Sequence, residues 1–469
     1  MRLEPLLTAD EVRAAEAAHP GPMDELMERA GTAVAETVVR QFPGVRRVTA
    51  VCGGGNNGGD GRICARLLAE AGREVTVVDG LGDLGEPELI VDALLGVGLR
   101  EAPREDAVRM IERMNAAGRP VVAVDVPSGV DASTGEVRGA AVRATVTVTF
   151  GAAKVGLAVS PGRGHAGTVH VAPIGLQTRE HEHALVPATA LLDVPRKQGE
   201  TTKYRSGSVL VVGGSRGLTG APMLAALAAF RADAGYVAVA APESTIPVLE
   251  TRLLEAVKRP LPEDGQGRLV PRSADLILEA AEKATAVALG PGLGRSDGTV
   301  ELVRILLEQL EVPVVVDADA LWQLEPFRRS APTVLTPHAG ELGHLLGVDA
   351  AEIDAHRLAA VRRAASRFGC VVLLKGGDTL VTGPREGVLV AAYGGPALAT
   401  AGTGDVLTGV AAAFLAKGME ARQAAAVAAV AHGVAARLAP QQVGLVASDL
   451  LPGLQRAVGG EGLQWRPLE

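Results

Sequence analysis

The sequence predicts an α/β protein of two domains, and three observations carry that expectation. Short valine-rich runs alternate with alanine-, leucine- and arginine-rich helical segments, the pattern of parallel strands joined by crossover helices. Hydrophobic residues make up 47% of the 469 but aromatic residues only 2%, so Ala, Val and Leu carry the packing. The alternation stops once, in the polar stretch 175–205, and then restarts. At roughly 100–200 residues per domain the length accommodates this division. The boundaries expected are 1–178 and 184–469.

In the first part the Ala/Glu/Arg-rich segment near 10–40 reads as a helix, and "RRVTAVC" as a strand. A helix follows from about 59 to 71, then strands "EVTVVD" and "ELIVDALLG", a helix near 104–117, and strands "PVVAVDVPSG", "ATVTVTF" and "TVHVAP". The second part opens with the strand "GSVLVVGGS" and a helix near 220–234. Strands "YVAVAAP", "ATAVALGPGLG", "PVVVDADAL", "PTVLTPHAGE" and "CVVLLKGGDTLV" come next, then alanine-rich helices after "GTGDVLTG". The loops of the two parts differ, so they do not read as a duplication.

The net charge is −8, which offers no basic field for nucleic acid. The N-terminal stretch has early acids and no apolar leader core, so no signal peptide is expected. The alanine-rich region near the C-terminus is broken by Lys417, Glu420 and Arg422 and reads as packed helices rather than a membrane span. Cys52, Cys64 and Cys370 show neither metal spacing nor a disulfide framework, which points to a reducing, cytoplasmic setting. Only 7 lysines stand against 39 arginines, so each lysine draws notice.

Three strand ends in the first part carry polar or glycine-rich loops. Gly53 to Gly58 formally match G-x-G-x-x-G between a strand and a helix, and Asp79 stands where a ribose-binding acid would stand in a dinucleotide fold. Asp60 opposes that reading: a carboxylate in the first helical turn occupies the dipole end that should face pyrophosphate. Asn56 and Asn57 add amide oxygens, good ligands for a hard cation. Asp60 and Asn57 as plain helix caps remain an alternative. "VDALLGVGLR" brings Asp92, and "VDVPSGVDASTG" brings Asp125, Ser128 and Asp131. Asp125 either serves chemistry or opens a turn.

Together "LMERAG", "GGGNNGGDG", "VDALLGVGL", "VDVPSGVDASTG" and "TFGAAKVGL" resemble the epimerase domain of bifunctional NAD(P)H-hydrate repair enzymes, over roughly residues 1–175. The resemblance implies a Rossmann-like three-layer α/β/α fold. It implies that Asn56, Asn57, Gly58, Gly59 and Asp60 bind the hydrated nucleotide. Gly96, Val97, Gly98, Leu99, Arg100, Glu101 and Ala102 would cover it, Asn57, Asp92 and Ser128 would hold K+, and Asp125 would be the acid/base. Lys154 fills the family's lysine position without an assigned role.

In the second part "AGTGDVLTG" opens a helix with Gly402 and Gly404 around Thr403, with Asp405 next. Backbone N–H groups there form an anion hole, and Asp405 is placed to take a proton as a phosphoryl group moves. Lys375 precedes Gly376 and Gly377, while "GPGLG" and "GGSRGLTGAP" supply further close-approach loops. "TPHAGEL" puts His338 and Glu341 at another strand end. This set resembles the ribokinase-like superfamily, and within it the ADP- or ATP-dependent NAD(P)H-hydrate dehydratases, over about residues 184–469. By that resemblance Ala221, Gly292, Gly294, His338 and Asp405 contact the hydrated nucleotide. Lys375, Gly376, Gly377, Asp378, Thr379 and Gly404 contact the adenine nucleotide, ADP as co-substrate, with Mg2+. Thr202 stands where the family often has histidine.

The resemblance thus implies two activities: epimerisation of hydrated NADH and NADPH at C6, and ADP-dependent dehydration. Small-molecule partners, a homo-oligomer, and no nucleic-acid or membrane partner are expected. The competing readings are a small-alcohol or vitamin kinase, a non-catalytic first domain, and a dehydrogenase.

Overall fold

Runs of successive valines bury both faces of a strand only when helices cover both sides, and both main sheets have that form. The chain divides into two units between Leu185 and Val186. The first comprises Glu4–Leu185 with Asp354–Leu358 and Leu468; the second comprises Met1–Leu3, Val186–Ile353 and Ala359–Pro467. The computed structural model describes residues 1–468 apart from 179, 180, 198, 200 and 201, so parts of the linker expected at 175–205 lie outside the described residues.

The first unit carries β1 (Glu4–Leu7), β2 (Arg47–Cys52), β3 (Glu74–Asp79), β4 (Leu89–Ala93), β5 (Val121–Val124), β6 (Val146–Phe150), β7 (Ala153–Lys154), β8 (Thr168–Ala172) and β9 (His183–Leu185). Six of them form a wholly parallel sheet in the order β3-β2-β4-β5-β6-β8. The chain leaves β2 towards one edge and returns to β4 on its other side. That reversal opens a crevice at the carboxyl ends of β2 and β4. β1 pairs in parallel with β7 and antiparallel with β9.

Two helix expectations need correction. The helix expected near 10–40 is two helices, Ala9–Ala17 and Met23–Gln41, because Pro20 and Pro22 interrupt the backbone bonding between them. The first opens with a capping box: the Thr8 hydroxyl accepts from Glu11 N, and the Glu11 carboxylate accepts from Thr8 N at 2.7 Å. Such a cap contributes about 1 kcal/mol and fixes a helix that presents Val12 and Glu16 on one face. The helix expected from 59 starts at Asn56 and runs to Glu70. Gly55, its N-cap, has no side chain to announce the start.

The second unit carries β10 (Ser208–Val212), β11 (Tyr236–Pro242), β12 (Val257–Leu261), β13 (Ala286–Leu289), β14 (Val314–Val316), β15 (Thr333–Leu335), β16 (Val371–Leu374), β17 (Thr379–Thr382) and β18 (Leu389–Ala391). The order is β12-β11-β10-β13-β14-β15-β16-β17-β18, parallel as far as β16 and antiparallel beyond it. The single strand expected over "CVVLLKGGDTLV" is a hairpin, β16 and β17, with Lys375 to Asp378 as its loop. Here the reversal lies between β10 and β13, where Gly213 and Gly214 meet Pro291 and Gly214 N donates to Pro291 O at 2.9 Å.

The alanine-rich helices Thr403–Ala416 and Ala421–Arg437 fill the interior of this unit, so the surface they could have offered a second copy is used internally. A Cβ on Gly409 would stand 2.1 Å from Ala225 O. That close approach seats the middle of the first helix against Gly220–Arg231. Among the described residues no helix is long and apolar enough to cross a membrane.

Candidate active sites

In the first unit the glycine run divides by what it meets. A Cβ on Gly53 would lie 2.1 Å from Leu94 O, and one on Gly58 would lie 1.9 Å from Gly53 O, so these glycines serve the protein's own backbone. Gly54 and Gly55 meet nothing within 4 Å and leave the loop open. Next to this loop the predicted ion ligands converge. Ser128 Oγ donates to Asp92 Oδ1 at 2.6 Å and Ser128 N donates to Asp92 Oδ2 at 2.8 Å. Leu95 N donates to Ser128 Oγ at 2.8 Å, and Asn57 Nδ2 donates to Leu95 O at 2.9 Å.

Asp92 is fully buried, and burial pushes its carboxyl up to about 6 against the hydrogen bonds from Ser128 and Leu94. It forms no ion pair among the described residues. A buried carboxylate served only by neutral donors, beside an amide and a hydroxyl, offers oxygen ligands of the kind a hard cation takes. No group of three His, Cys, Asp or Glu side chains is placed to hold a metal among the described residues.

Asp125 follows β5 with φ +65°, a left-handed conformation that a non-glycine residue holds only under constraint. Its Oδ1 accepts from Thr149 Oγ1 at 2.8 Å, from Phe150 N at 3.3 Å and from Lys154 Nζ. Oδ2 takes none of these bonds. Lys154, 1% exposed, also donates to Thr149 Oγ1 and to Phe150 O. Asp125, Lys154, Asn56 and Asp60 line one cleft with Glu16, Val12 and Met27.

Asp60 is not in the first turn; the helix already starts at Asn56, so the dipole argument against pyrophosphate does not apply to it. Burial, then the charges of Asp125 and Glu16, push its carboxyl up to about 8, with Lys154 pulling the other way. Asp60 therefore carries a proton at neutral pH. Glu16, which the sequence did not single out, is raised as well, by burial and then Asp125. Asp79 pairs with Arg62 at 2.5 Å on the surface.

The cover loop divides too. Gly96 packs on the Asn57 side chain and Val97 packs against Leu7, Val12 and Ala152. None of Gly96, Val97, Gly98, Leu99, Arg100, Glu101 and Ala102 lines the cleft, and Arg100 pairs instead with Asp10 at 2.8 Å.

In the second unit Gly402, at φ +89°, caps the helix that begins with Thr403, and Asp405 lies in its first turn. Burial and then Asp317 push the Asp405 carboxyl up to about 7, while Lys375 opposes. The Lys375 ammonium donates to Asp317 Oδ1 at 2.8 Å and stands 3.6 Å from Glu341 Oε2. Burial works against its charge, but Asp317, Glu341 and Asp405 outweigh that and raise its pKa. Asp317 is 1% exposed and its other oxygen accepts from Thr408 Oγ1 at 2.6 Å.

Gly292, at φ +63°, and Ala221 meet at the strand reversal, and Gly294 N donates to Asp319 Oδ2 at 3.0 Å. The Nδ1 of His338 accepts from Gly340 N at 3.0 Å and Glu341 N at 3.3 Å, capping Ala339–Leu346, and the ring is largely exposed. Lys375, Gly376, Gly377, Thr379 and Gly404 line one cavity of about 210 Å³ with Leu398, Ala399, Leu407, Ala429 and His432. Asp378 is buried and not among its lining residues.

The sequence reading missed Asp317, Thr408 and His432. Asp317 was legible by the same logic as Asp125, an acid ending a valine-rich strand. Nothing in an alanine-rich helix marks His432 beyond its being a histidine.

Comparison with known proteins matches a different family model to each part of the chain. A family model described as NAD(P)H-hydrate dehydratase matches residues 209–456, and one described as YjeF-related protein N-terminus matches 23–83 and 78–156. The bifunctional NAD(P)H-hydrate repair enzyme Nnr of Moorella thermoacetica is 39% identical over 95% of this chain and 95% of its own. That of Pyrobaculum aerophilum is 41% identical over 92% and 93%, and that of Escherichia coli 35% over 92% and 90%. Among solved structures, the ADP/ATP-dependent NAD(P)H-hydrate dehydratase of Bacillus subtilis, co-crystallised with ATP/Mg2+, matches with TM-score 0.51 and 29% identity, covering 58% of this chain and 97% of that one. With relatives this similar over nearly their full length, the chain belongs to the family of bifunctional NAD(P)H-hydrate repair enzymes.

Proposed function

We propose that the chain repairs hydrated NADH and NADPH in two steps, one at each site. Water added across the 5,6 double bond leaves a hydroxyl at C6 and a ring that no longer donates hydride. Hydroxide leaves slowly, so the second unit transfers the β-phosphoryl group of ADP to that hydroxyl. Asp405 takes the hydroxyl proton and AMP departs. The C6–O bond then breaks with loss of a C5 proton, phosphate leaves, and the double bond returns. The observation that carries this reading is Asp405 itself: a carboxyl pushed up to about 7 beside a glycine-capped helix start and a half-buried lysine. A base titrating near neutrality removes a hydroxyl proton without being permanently protonated.

Backbone N–H groups at that helix start and Lys375 stabilise the charge on the moving phosphoryl group. Ala221, Gly292, Gly294 and His338 form the hydrated nucleotide's side of the site. Gly376, Gly377, Thr379 and Gly404 form the adenine nucleotide's side, with Asp378 supporting the hairpin from within. Mg2+ would accompany the nucleotide phosphates, as its presence with ATP in the Bacillus subtilis relative supports.

A site built for the S configuration strands the R epimer, and the first unit interconverts the two. Asp125 exchanges the proton, with Lys154 holding its Oδ1 in place. Asn56, Asn57, Gly58, Gly59 and Asp60 bind the nucleotide, with Gly96 and Val97 and the exposed residues to Ala102 as its cover. K+ would be held by Asn57, Asp92 and Ser128 and would supply positive charge beside the ligand. The three unpaired buried cysteines support a reducing, cytoplasmic setting.

The test is incubation of mixed hydrated NADH epimers with ADP while ring absorbance is followed. Complete recovery is expected. A stable phosphorylated product without ring recovery would replace the repair reading with that of a small-alcohol kinase.

A further inference from the structure

Helix Ala9–Ala17 brings a further ionisable side chain, Glu16, into the cleft that Asp125, Lys154 and Asp60 line. Two contacts hold the helix there. Ala9 N donates to Ser133 Oγ at 2.9 Å, in the loop that follows Asp125, and Val12 packs on Leu7 and Ala152. Glu16 lies one turn beyond Val12 and shares its face of the helix. Its carboxyl makes no hydrogen bond or ion pair among the described residues, and the charges it feels foremost are those of Asp125 and Lys154. A half-buried carboxyl without a partner costs stability, and this one secures nothing in the fold.

The cleft is also lopsided in charge. Three carboxyls, those of Glu16, Asp60 and Asp125, meet one ammonium, that of Lys154, which is bound to Asp125. Such a site favours a reacting ring that turns positive. Two carboxyls flanking a cationic ring carbon are also what glycosidic bond exchange uses, and C6 of hydrated NADH is a carbon of that kind, bearing a hydroxyl beside the ring nitrogen N1. We propose that Glu16 is a second catalytic residue of the first unit, working with Asp125 across the two faces of the ring. The protonated carboxyl of one gives its proton to the C6 hydroxyl. The C6–O bond breaks, its electron pair leaves with the oxygen as water, and the N1 lone pair closes a C6=N1 iminium. Water then adds to the opposite face, the iminium pair returns to N1, and the carboxylate of the other residue takes the released proton. The hydroxyl is inverted and the proton has passed between the carboxyls, which is the starting state for the reverse conversion. Asp60 does not fit this partnership: pushed up to about 8, it holds its proton at neutral pH, whereas the partner must both give and take.

This inference rests on the first unit exchanging the epimers, and the experiment tells the two apart. Exchange is followed chromatographically without ADP, starting from the R-hydrate of NADH. If the unaltered protein does not speed exchange beyond the spontaneous rate, the epimerase reading itself is overturned. Acceleration is expected, and in water carrying heavy oxygen the label should enter C6 at the pace of inversion. Inversion that keeps the original oxygen overturns the proposal without any variant.

Two variants add a readout that a merely structural role would not move. Glu16→Gln keeps the shape of the side chain and removes its proton chemistry, so kcat for exchange should fall about 10²-fold or more, with KM and the melting temperature little changed. Glu16→Asp keeps a carboxyl on a shorter arm and should recover part of the rate. A packing role predicts the reverse order of the two. A Glu16→Gln protein that exchanges the epimers as fast as the unaltered protein, or faster than Glu16→Asp, overturns the proposal.

Discussion

Asp125 and Asp405 each stand at the carboxyl end of a parallel sheet, yet the charge around them is arranged in opposite ways. In the first unit the lysine is bound to the acid assigned to chemistry, and the neighbours Asp60 and Glu16 carry the upward shift. In the second the lysine is bound to a neighbour, Asp317, and the assigned acid carries the shift. An acid read from a motif therefore does not reveal its protonation; burial first, and then the charges of its neighbours, decide it. The difference suits the tasks. Phosphoryl transfer wants a base poised near the working pH, whereas epimerisation wants a proton holder and a proton acceptor side by side.

The largest test of this contrast is Asp405→Asn. Ring recovery should fall by about 10²–10⁴ while interconversion of the epimers, followed chromatographically, continues. Asp125→Asn should give the mirror image: S-hydrate is consumed normally and R-hydrate only at its spontaneous rate, also a loss of order 10² or more. Equal damage to both activities from either variant would break the division of labour.

A pH profile sharpens the comparison at smaller scale. Asp405 must be ionised to accept a proton, so kcat for ring recovery should decline tenfold per pH unit below about 7.

The smallest effect expected is on stability. Asp60 is held protonated to about 8, above an unfolded aspartate, so it favours the folded state at low pH and loses that advantage as pH rises through about 8. Asp60→Asn removes the titration. Its melting temperature relative to the unaltered protein should rise from pH 5 to about pH 8 and level off above it. If Asp60 only holds the ligand, the variant keeps most of its epimerisation; loss as complete as in Asp125→Asn would make Asp60 the proton donor.

The strands were legible because valine runs at regular spacing need no tertiary context. What escaped the sequence were features set by neighbours distant along the chain. The turn between β16 and β17 is hidden in an apolar run, since two glycines mark a hairpin and a phosphate loop alike. The start at Asn56 is hidden because Gly55 caps without a side chain, and that misplaced Asp60 by a turn. The ion-ligand set was nameable only by resemblance, and its geometry comes from the reversal that places the β2 and β4 loops together. Lys154 was visible as a scarce lysine, but its partner lies 29 residues away.

Asp317 faces two ways at once, towards Lys375 and towards Thr408. Thr408 is wholly buried in an alanine-rich helix and would pass in any inventory for structural filler. Yet it holds one oxygen of the carboxylate whose other oxygen orients the ammonium. Surveys of tolerated substitutions that rank positions by distance from the bound molecule will undervalue such a threonine, and drug-resistance or loss-of-function changes there would look like folding defects until the ammonium was examined.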